Sequence, residues 1–264
     1  MAVKDAFIIV EGPQDAECIA RLLDSAGYGR ITRIENLPSV YRNLFSPSFP
    51  REGRGLDQPH EVPHFRRNAE GCIVAMIPAG GDSKLASSLM AGIEAFKRAP
   101  DAIGFLLDDD REPSPTIRHG KLLASVKESE ALRSLQFPAA PGAVHAGPPR
   151  TGVFVMPDNQ QPGTLEMVLL EAGSVAYDLQ LRAAQQFVEQ FPADGLIAGD
   201  LAEGGKPSGK KKQIIGCVAA MLKPGRTLQT SLHDNRWLTG DALDKPLVLE
   251  LRRWLHPLLD IPAP

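Results

Sequence analysis

The sequence predicts an α/β fold in which a parallel β-sheet is flanked by helices. Short apolar runs, typical of buried strands, alternate along the chain with segments whose apolar residues recur at helical spacing. Alternation of this kind favours a parallel sheet with helical crossovers. Residues 193–264 contain two helical segments and no convincing strand pattern. We therefore expect an α/β core that is followed by a helical C-terminal part.

The predicted strands are short, continuous apolar runs that end in turn residues. They cover residues 6–10, 72–77, 102–107 and 152–156. Helices are predicted over residues 15–27, 83–99, 116–135 and 164–191, the last with a break near Gly173. Gly27 is suited to end the first helix, and Ser83 to begin the second. Two more helices, over residues 210–222 and 247–259, belong to the C-terminal part.

The domain organisation follows from these segments. We expect the α/β core over residues 1–192 and a helical extension, packed on the core, over residues 193–264. Residues 38–67 are rich in proline, glycine and charged residues, which predicts a long loop or insertion within the core. Its Arg and His side chains have the chemistry to contact a polyanion, although a solvated loop is the simpler interpretation.

Charge and hydropathy narrow the class of protein. The formal net charge is −3 and the pI is about 6.1. Proteins that coat duplex DNA without sequence preference usually have a basic face, so any contact with nucleic acid must be local. No apolar run approaches the roughly 20 residues of a membrane span, and the N-terminal apolar stretch is too short for a signal peptide. We expect a cytoplasmic protein that does not insert into membranes.

The cysteines give no sign of a zinc site or of a disulfide framework. Cys18, Cys72 and Cys217 lie far apart in the sequence and none is part of a CxxC motif. Free thiols in a reducing cytosol are the expected state.

Acidic residues follow the ends of the predicted strands. Glu11 follows the first strand, with Asp15 one helical turn later, and three aspartates follow the third strand at residues 108–110. Glu166 follows the fourth strand. In open parallel sheets, ligands bind beyond the carboxyl ends of the strands, so these acids should converge on one edge. Crowded carboxylates repel one another and favour a hard cation such as Mg²⁺, with its preference for oxygen ligands.

Each of these charged residues also has an ordinary structural interpretation. Asp15 in a first helical turn interacts well with the helix dipole. Glu166 fits a capping box in the segment GTLE. The run of lysines at residues 210–212 is typical of a solvated helix start, although cations there oppose the dipole. Three adjacent aspartates after a buried strand are harder to explain without a cation.

The order of these motifs resembles the Toprim domain of topoisomerases, primases, recombination-repair proteins and overcoming-lysogenization-defect (OLD) nucleases. The matching segments are IIVEG at residues 8–12, IPAGGDSK at 77–84 and FLLDDD at 105–110. The Asp-x-Asp motif falls on Asp108 and Asp110. Three further features resemble the OLD branch and small stand-alone Toprim-related proteins: Asp15 four positions after Glu11, Thr164 two positions before Glu166, and a lysine before a helix, matched best by Lys211.

The resemblance implies a Toprim-like (Rossmann-like) sheet and a metal-dependent site. By resemblance, Glu11 and Asp15 would hold one Mg²⁺ or Mn²⁺ ion, and Glu11 would also be catalytic. Asp108, Asp110 and Glu166 would hold or position a second ion. Lys211 would stabilise charge that develops on the scissile phosphate. The substrate would contact the glycine turn and the lysine that follows it: Gly80, Gly81 and Lys84.

Two departures from the family bear on partners. OLD nucleases carry an ATPase domain, and this sequence has no GxxxxGK[ST] motif. Topoisomerases need a tyrosine nucleophile in a further domain. The leading hypothesis is a metal-dependent nuclease or phosphodiester-processing protein, or the nuclease subunit of a larger defence or repair system, that acts on DNA in preference to RNA. Its partner would be a separate ATPase or another protein. The alternatives are a catalytically silent module that binds metal and a phosphate ligand or partner protein, and a flavodoxin-like domain.

Overall fold

The computed structural model describes residues 2–45, 62–109, 112–192, 194–202 and 204–262. Within these ranges the chain forms one sheet of seven strands. The strands are β1 (Asp5–Val10), β2 (Gly29–Arg30), β3 (His64–Arg67), β4 (Ile73–Pro78), β5 (Ala102–Leu107), β6 (Val144–His145) and β7 (Arg150–Val155). Their order across the sheet is β2-β3-β4-β1-β5-β7-β6.

The centre of the sheet is parallel, as predicted. β1 pairs with β4 on one side and with β5 on the other, and β5 pairs with β7, all in parallel. These four strands are the four that the apolar runs predicted. The edges differ from the prediction, because β3 and β6 are antiparallel to their inner neighbours, and β2 pairs antiparallel with β3. The α/β class is confirmed, with a mixed rather than a wholly parallel sheet.

The segment at residues 38–67 is not wholly a loop. A short helix occupies Ser39–Arg42, β3 covers His64–Arg67, and residues 46–61 lie outside the described part of the chain. The charged composition of β3 concealed the strand. Arg66 is buried in the sheet because its guanidinium bonds to Asp24 at 2.6 Å and lies 3.6 Å from Glu17.

Helices cover both faces of the sheet. The described helices are α1 (Pro13–Ser25), α2 (Ser39–Arg42), α3 (Leu85–Phe96), α4 (Pro115–Glu128), α5 (Leu165–Glu189), α6 (Ala198–Leu201), α7 (Gly209–Leu222), α8 (Leu228–Asp234) and α9 (Pro246–Leu259). Side chains alternate along the strands, so Phe7 and Ile9 face α2, α3 and α4. Ile8 and Val10 face a core that includes α1, α5, α7, α8 and α9.

The helical C-terminal part belongs to the same core as the strands. Trp254 and Leu258 of α9 lie against β5 at Gly104, where a Cβ atom would come within 2.8 Å of Leu258 Cδ2. α7 and α9 match the two predicted helices to within one residue. α8 was not predicted. None of the described helices combines the length and apolar character that a membrane span needs.

Two predicted helices differ in detail from the structure. α4 ends at Glu128, earlier than predicted. α5 continues through Gly173, and its one non-helical residue is Tyr177. Gly173 is a close-packing residue rather than a break: a Cβ atom there would meet the ring of Trp237 at 2.8 Å.

Candidate functional site

The carboxyl ends of β1 and β5 bring Glu11 and Asp108 together. The two strands are parallel neighbours, with Val10 opposite Leu106, so both chains leave the sheet at the same edge. The backbone N–H of Asp108 donates to Glu11 Oε1 at 3.0 Å. The predicted meeting of these two acids is confirmed. Their role as metal ligands stays a prediction.

Two helix N-termini add a carboxylate each to this edge. Asp15 lies in the first turn of α1, where its Oδ2 accepts a hydrogen bond from the Gly12 N–H at 2.9 Å. Glu166 lies in the first turn of α5. Both side chains are about 8% exposed. Asp108 Oδ1 accepts from the Leu165 N–H at 3.0 Å, which ties the end of β5 to the start of α5. We call Glu11, Asp15, Asp108 and Glu166 the acidic cluster.

Burial and mutual repulsion raise carboxyl pKa values in the acidic cluster. Burial, followed by the charge of Glu11, raises the pKa of Asp15 to about 7, against the opposing effects of the Gly12 N–H and the charge of Lys212. Burial, followed by the charges of Asp15, Glu11 and Glu166, raises the pKa of Asp108 well above its ordinary value. The protein without a cation therefore retains protons in this cluster near neutral pH, which is the behaviour expected of crowded, desolvated carboxylates.

An arginine that the sequence did not single out lies against the acidic cluster. Arg118 of α4 donates from Nη2 to Glu11 Oε1 at 2.9 Å and from Nε to the Asp108 carbonyl at 3.0 Å. Its Nη2 is also 3.8 Å from Asp82. Burial raises the pKa of Glu11, and the Arg118 charge opposes that rise. The signal in the sequence was indirect: buried acids require a countercharge, and Arg118 lies in the helix that follows the three aspartates.

A polar cavity of about 170 Å³ opens beside these groups. Its wall contains Glu11, Gly81, Asp82, Asp108, Glu112, Arg118 and Lys212. The lysine in the wall of this cavity is Lys212 and not the predicted Lys211. The two neighbours lie in the first turn of α7 and line different pockets. Lys211 lines an adjacent pocket of about 130 Å³ that also contains Thr164 and Ser208.

The glycine turn after β4 has a structural role that the prediction missed. The N–H groups of Gly80 and Gly81 both donate to the carbonyl of Glu11 at 3.1 Å, so they hold the end of β1. Both residues have positive φ, 76° and 120°, a conformation that glycine adopts without strain. Gly81 lines the cavity, whereas Lys84 is exposed and is not part of its wall. Asp82 is the charged residue of this turn that reaches the site.

The remaining predicted positions are resolved in part. Asp110 lies outside the described residues. Its neighbour Asp109 is buried and donates its N–H to the Gly163 carbonyl at 2.7 Å. Thr164 is the N-cap residue of α5 and is buried. Asp109, Gly163 and Thr164 therefore join the end of β5 to the start of α5.

The donor chemistry of the cluster fits Mg²⁺ or Mn²⁺, although its present arrangement is not that of a formed metal site. All its ligand atoms are carboxylate oxygens, which hard divalent cations prefer. Glu166 Oε2 is buried without a hydrogen-bond partner among the described residues. No group of three or more His, Cys, Asp or Glu side chains in that part of the chain is positioned to hold an ion. Glu11 Oε1 is instead taken by Arg118 and the Asp108 N–H.

A family model described as "Protein of unknown function (DUF3226)" matches residues 5–260. The chain belongs to the DUF3226 family. The match extends from β1 to the end of α9, so the sheet, the acidic cluster and the C-terminal helices all lie within the family's common region. No curated protein matches the sequence.

A solved structure has a similar fold. It is the crystal structure of hypothetical protein PH0156 from Pyrococcus horikoshii OT3, with a TM-score of 0.52 and 17% sequence identity. The alignment covers 96% of this chain and 99% of that chain. At this identity the similarity concerns the fold, and the chemistry of the site must be argued from its own residues.

Proposed function

We propose that this protein is a divalent-cation-dependent phosphodiesterase of the Toprim type that cleaves nucleic acid, DNA in preference to RNA. One observation carries the proposal: Glu11, Asp15, Asp108 and Glu166, from different parts of the fold, form an acidic cluster beside a cavity that also contains two cationic side chains. Carboxylates supply cation ligands, and the cationic groups attract a phosphate.

The acidic cluster would hold Mg²⁺ or Mn²⁺, because its ligand atoms are carboxylate oxygens, which these cations prefer. When bound, such an ion activates a water molecule and stabilises the leaving oxygen of a phosphodiester. The protein's own groups would orient the substrate. Lys212 and Arg118 both line the cavity, so they are suited to contact non-bridging phosphate oxygens there. In this proposal Lys212 takes the role that the resemblance assigned to Lys211.

Asp15 is suited to hold a proton near neutral pH. Burial raises the pKa of Asp15 to about 7. Its Oδ2 already accepts from the Gly12 N–H, so Oδ1 is the atom that would hold the proton. A group whose pKa lies near the working pH can take up or release a proton at little cost. Asp15 would have to release this proton before its carboxylate could hold a cation, so metal affinity would depend on pH.

The overall charge bears on partners and on location. A net charge of −3 disfavours non-specific binding along a duplex. We therefore expect a partner protein, such as a separate ATPase, to assist in recruiting the substrate. The free thiols Cys18, Cys72 and Cys217 suit a reducing compartment, and we expect the protein to act in the cytoplasm.

A cleavage assay tests this proposal. Plasmid, single-stranded DNA and RNA would be incubated with the full chain and Mg²⁺ or Mn²⁺, with EDTA as the metal-free control. We expect metal-dependent cleavage that falls by about a hundredfold or more in Asp108→Asn. Asp178→Asn is the matched control, because Asp178 forms an exposed ion pair with Arg182 on α5. Cleavage that survives in Asp108→Asn would refute the assigned site.

A catalytically silent module is the second candidate. It is favoured by the pI of about 6.1 and by the lack of a GxxxxGK[ST] ATPase motif in the sequence. Such a module would bind the cation and a phosphate ligand or partner protein without turnover. Calorimetry separates the two candidates: Mn²⁺ binding with no hydrolysis of any of the three nucleic acids would favour the module.

A further inference from the structure

Arg118 occupies the position of a countercation in the polar cavity beside the acidic cluster. Its Nη2 lies 2.9 Å from Glu11 Oε1 and 3.8 Å from Asp82 Oδ2. Its side chain is only 12% exposed, and that of Glu11 is 22% exposed. The pair is thus shielded from solvent far more than an ordinary surface ion pair, which strengthens its electrostatic interaction.

The same pair conflicts with a bound cation. A divalent ion held by Glu11 would place a second positive charge beside the guanidinium. Like charges repel strongly in a partly desolvated cavity. The ion and Nη2 would also compete for Glu11 Oε1, which already accepts the Asp108 N–H. Arg118 and a divalent cation would therefore be alternative partners of Glu11.

The second contact of Arg118 determines where its guanidinium can go. Its Nε donates to the backbone carbonyl of Asp108, an oxygen outside the carboxylate set. That bond can persist when Glu11 is taken by a cation, so the head group stays at the cavity wall while Nη2 is released. A phosphate in the cavity offers the guanidinium an anionic partner in place of Glu11.

We propose that Arg118 is an exchangeable countercation that pairs with Glu11 in the metal-free protein and transfers to a substrate phosphate when a divalent cation binds. The inference rests on the function proposed above and adds to it the exchange that frees Arg118 for the phosphate. It explains why buried, closely spaced carboxylates lack the arrangement of a metal site among the described residues. It also predicts that cation and phosphate bind with positive cooperativity, because each favours the released state of Arg118.

Metal and phosphate titrations of the full chain test this inference without any activity assay. Mn²⁺ binding would be measured by the loss of the free-ion EPR signal, and inorganic phosphate binding by calorimetry at saturating Mn²⁺. We expect Arg118→Ala to bind Mn²⁺ about tenfold more tightly than the wild type, because its competitor is removed. We expect phosphate binding in the same variant to weaken about tenfold.

Two further variants make the test decisive. Arg118→Gln keeps an N–H for the Asp108 carbonyl and removes the charge, so it should behave as Arg118→Ala even if the alanine variant folds poorly. Arg133→Ala is the matched control for lost charge, since Arg133 forms an exposed pair with Glu130. Its affinities for Mn²⁺ and phosphate should equal those of the wild type.

The outcomes separate this inference from the proposed function. Wild-type protein that binds Mn²⁺, with Arg118→Gln binding it equally or less tightly, would overturn the exchange and leave the proposed function standing. Unchanged phosphate affinity in Arg118→Gln would overturn the transfer to phosphate. Wild-type protein that binds no Mn²⁺ would overturn the proposed function and the inference with it.

Discussion

At the scale of single residues, Asp15 makes the strongest link between burial and pH. Its pKa is about 7, against an ordinary value of 3.8, chiefly because burial disfavours the ionised form. A carboxyl group whose pKa is higher in the folded than in the unfolded state stabilises the folded state fully at pH values below the unfolded-state pKa. This stabilisation is lost as the pH rises through the folded-state pKa. The contribution of Asp15 should therefore decline between about pH 4 and pH 7 in metal-free protein.

Asp15→Asn should remove this pH dependence. The amide oxygen can still accept the Gly12 N–H, so the cap of α1 is kept while the buried charge is lost. The measurement is urea unfolding in the presence of EDTA. Between pH 4 and pH 8, the free energy of unfolding of the variant should rise relative to that of the wild type by up to about 4 kcal/mol. The control is Asp200→Asn, because Asp200 accepts the Ile197 N–H in the same way at α6 and is exposed. Equal pH profiles for Asp15→Asn and the wild type would contradict the assignment.

The site residues differ in how far the sequence could predict them. Glu11 and Asp108 follow directly from strand order, because parallel neighbours end at one edge. Arg118 and Lys212 come from helices, where the rotation of the helix about its axis decides which side chain enters the cavity. That rotation depends on packing contacts distant in sequence. The sequence therefore does not show which lysine of residues 210–212 faces the cavity, and it gives no direct sign of Arg118.

At the scale of secondary-structure elements, α5 and β3 show that an apolar pattern does not report how closely individual residues pack. A glycine within a helical pattern suggested a break at Gly173, yet the helix continues and deviates at Tyr177. The small residue is required by the ring of Trp237, which is held in place by its Nε1 bond to Ser231 at 2.9 Å. The strand β3 was not predicted because its buried Arg66 has the charge that is typical of a surface residue.

Gly173→Ala should destabilise the protein. A Cβ atom at Gly173 would lie 2.8 and 2.9 Å from two ring atoms of Trp237, and a buried ring cannot shift freely. We expect a loss of about 1–3 kcal/mol in urea unfolding. The same substitution at Gly120, which is exposed in α4 with open space around it, should stabilise by roughly 1 kcal/mol. Equal effects at the two sites would refute the packing argument.

At the scale of the whole molecule, the acidic cluster links distant parts of the chain. Its members come from both halves of the sequence, and Lys212 brings in the C-terminal helices. The parallel centre and the helical C-terminal part were predictable because apolar periodicity persists over many residues. The short antiparallel edges β2 and β6 were not, since two-residue strands leave no period to detect.

Because repulsion within the cluster opposes folding, a bound cation should stabilise the entire fold. Mg²⁺ or Mn²⁺ at about a hundred times its dissociation constant contributes about 2.7 kcal/mol. For a chain of this size, that should raise the melting temperature by roughly 5–10 °C. The measurement is a thermal scan with and without the divalent cation at matched ionic strength.

Asp108→Asn should abolish this rise and also stabilise the metal-free protein. The substitution removes a carboxylate that is repelled by Asp15, Glu11 and Glu166. It keeps an oxygen that can accept the Leu165 N–H. The variant in EDTA should therefore melt above the wild type in EDTA, and divalent cations should move it by less than 2 °C, about the effect of 0.5 kcal/mol. Asp178→Asn should retain the full rise of the wild type. If Mg²⁺ and Mn²⁺ stabilised Asp108→Asn as much as the wild type, the stabilising ion would bind elsewhere, and the edge between β1 and β5 would not be the metal site.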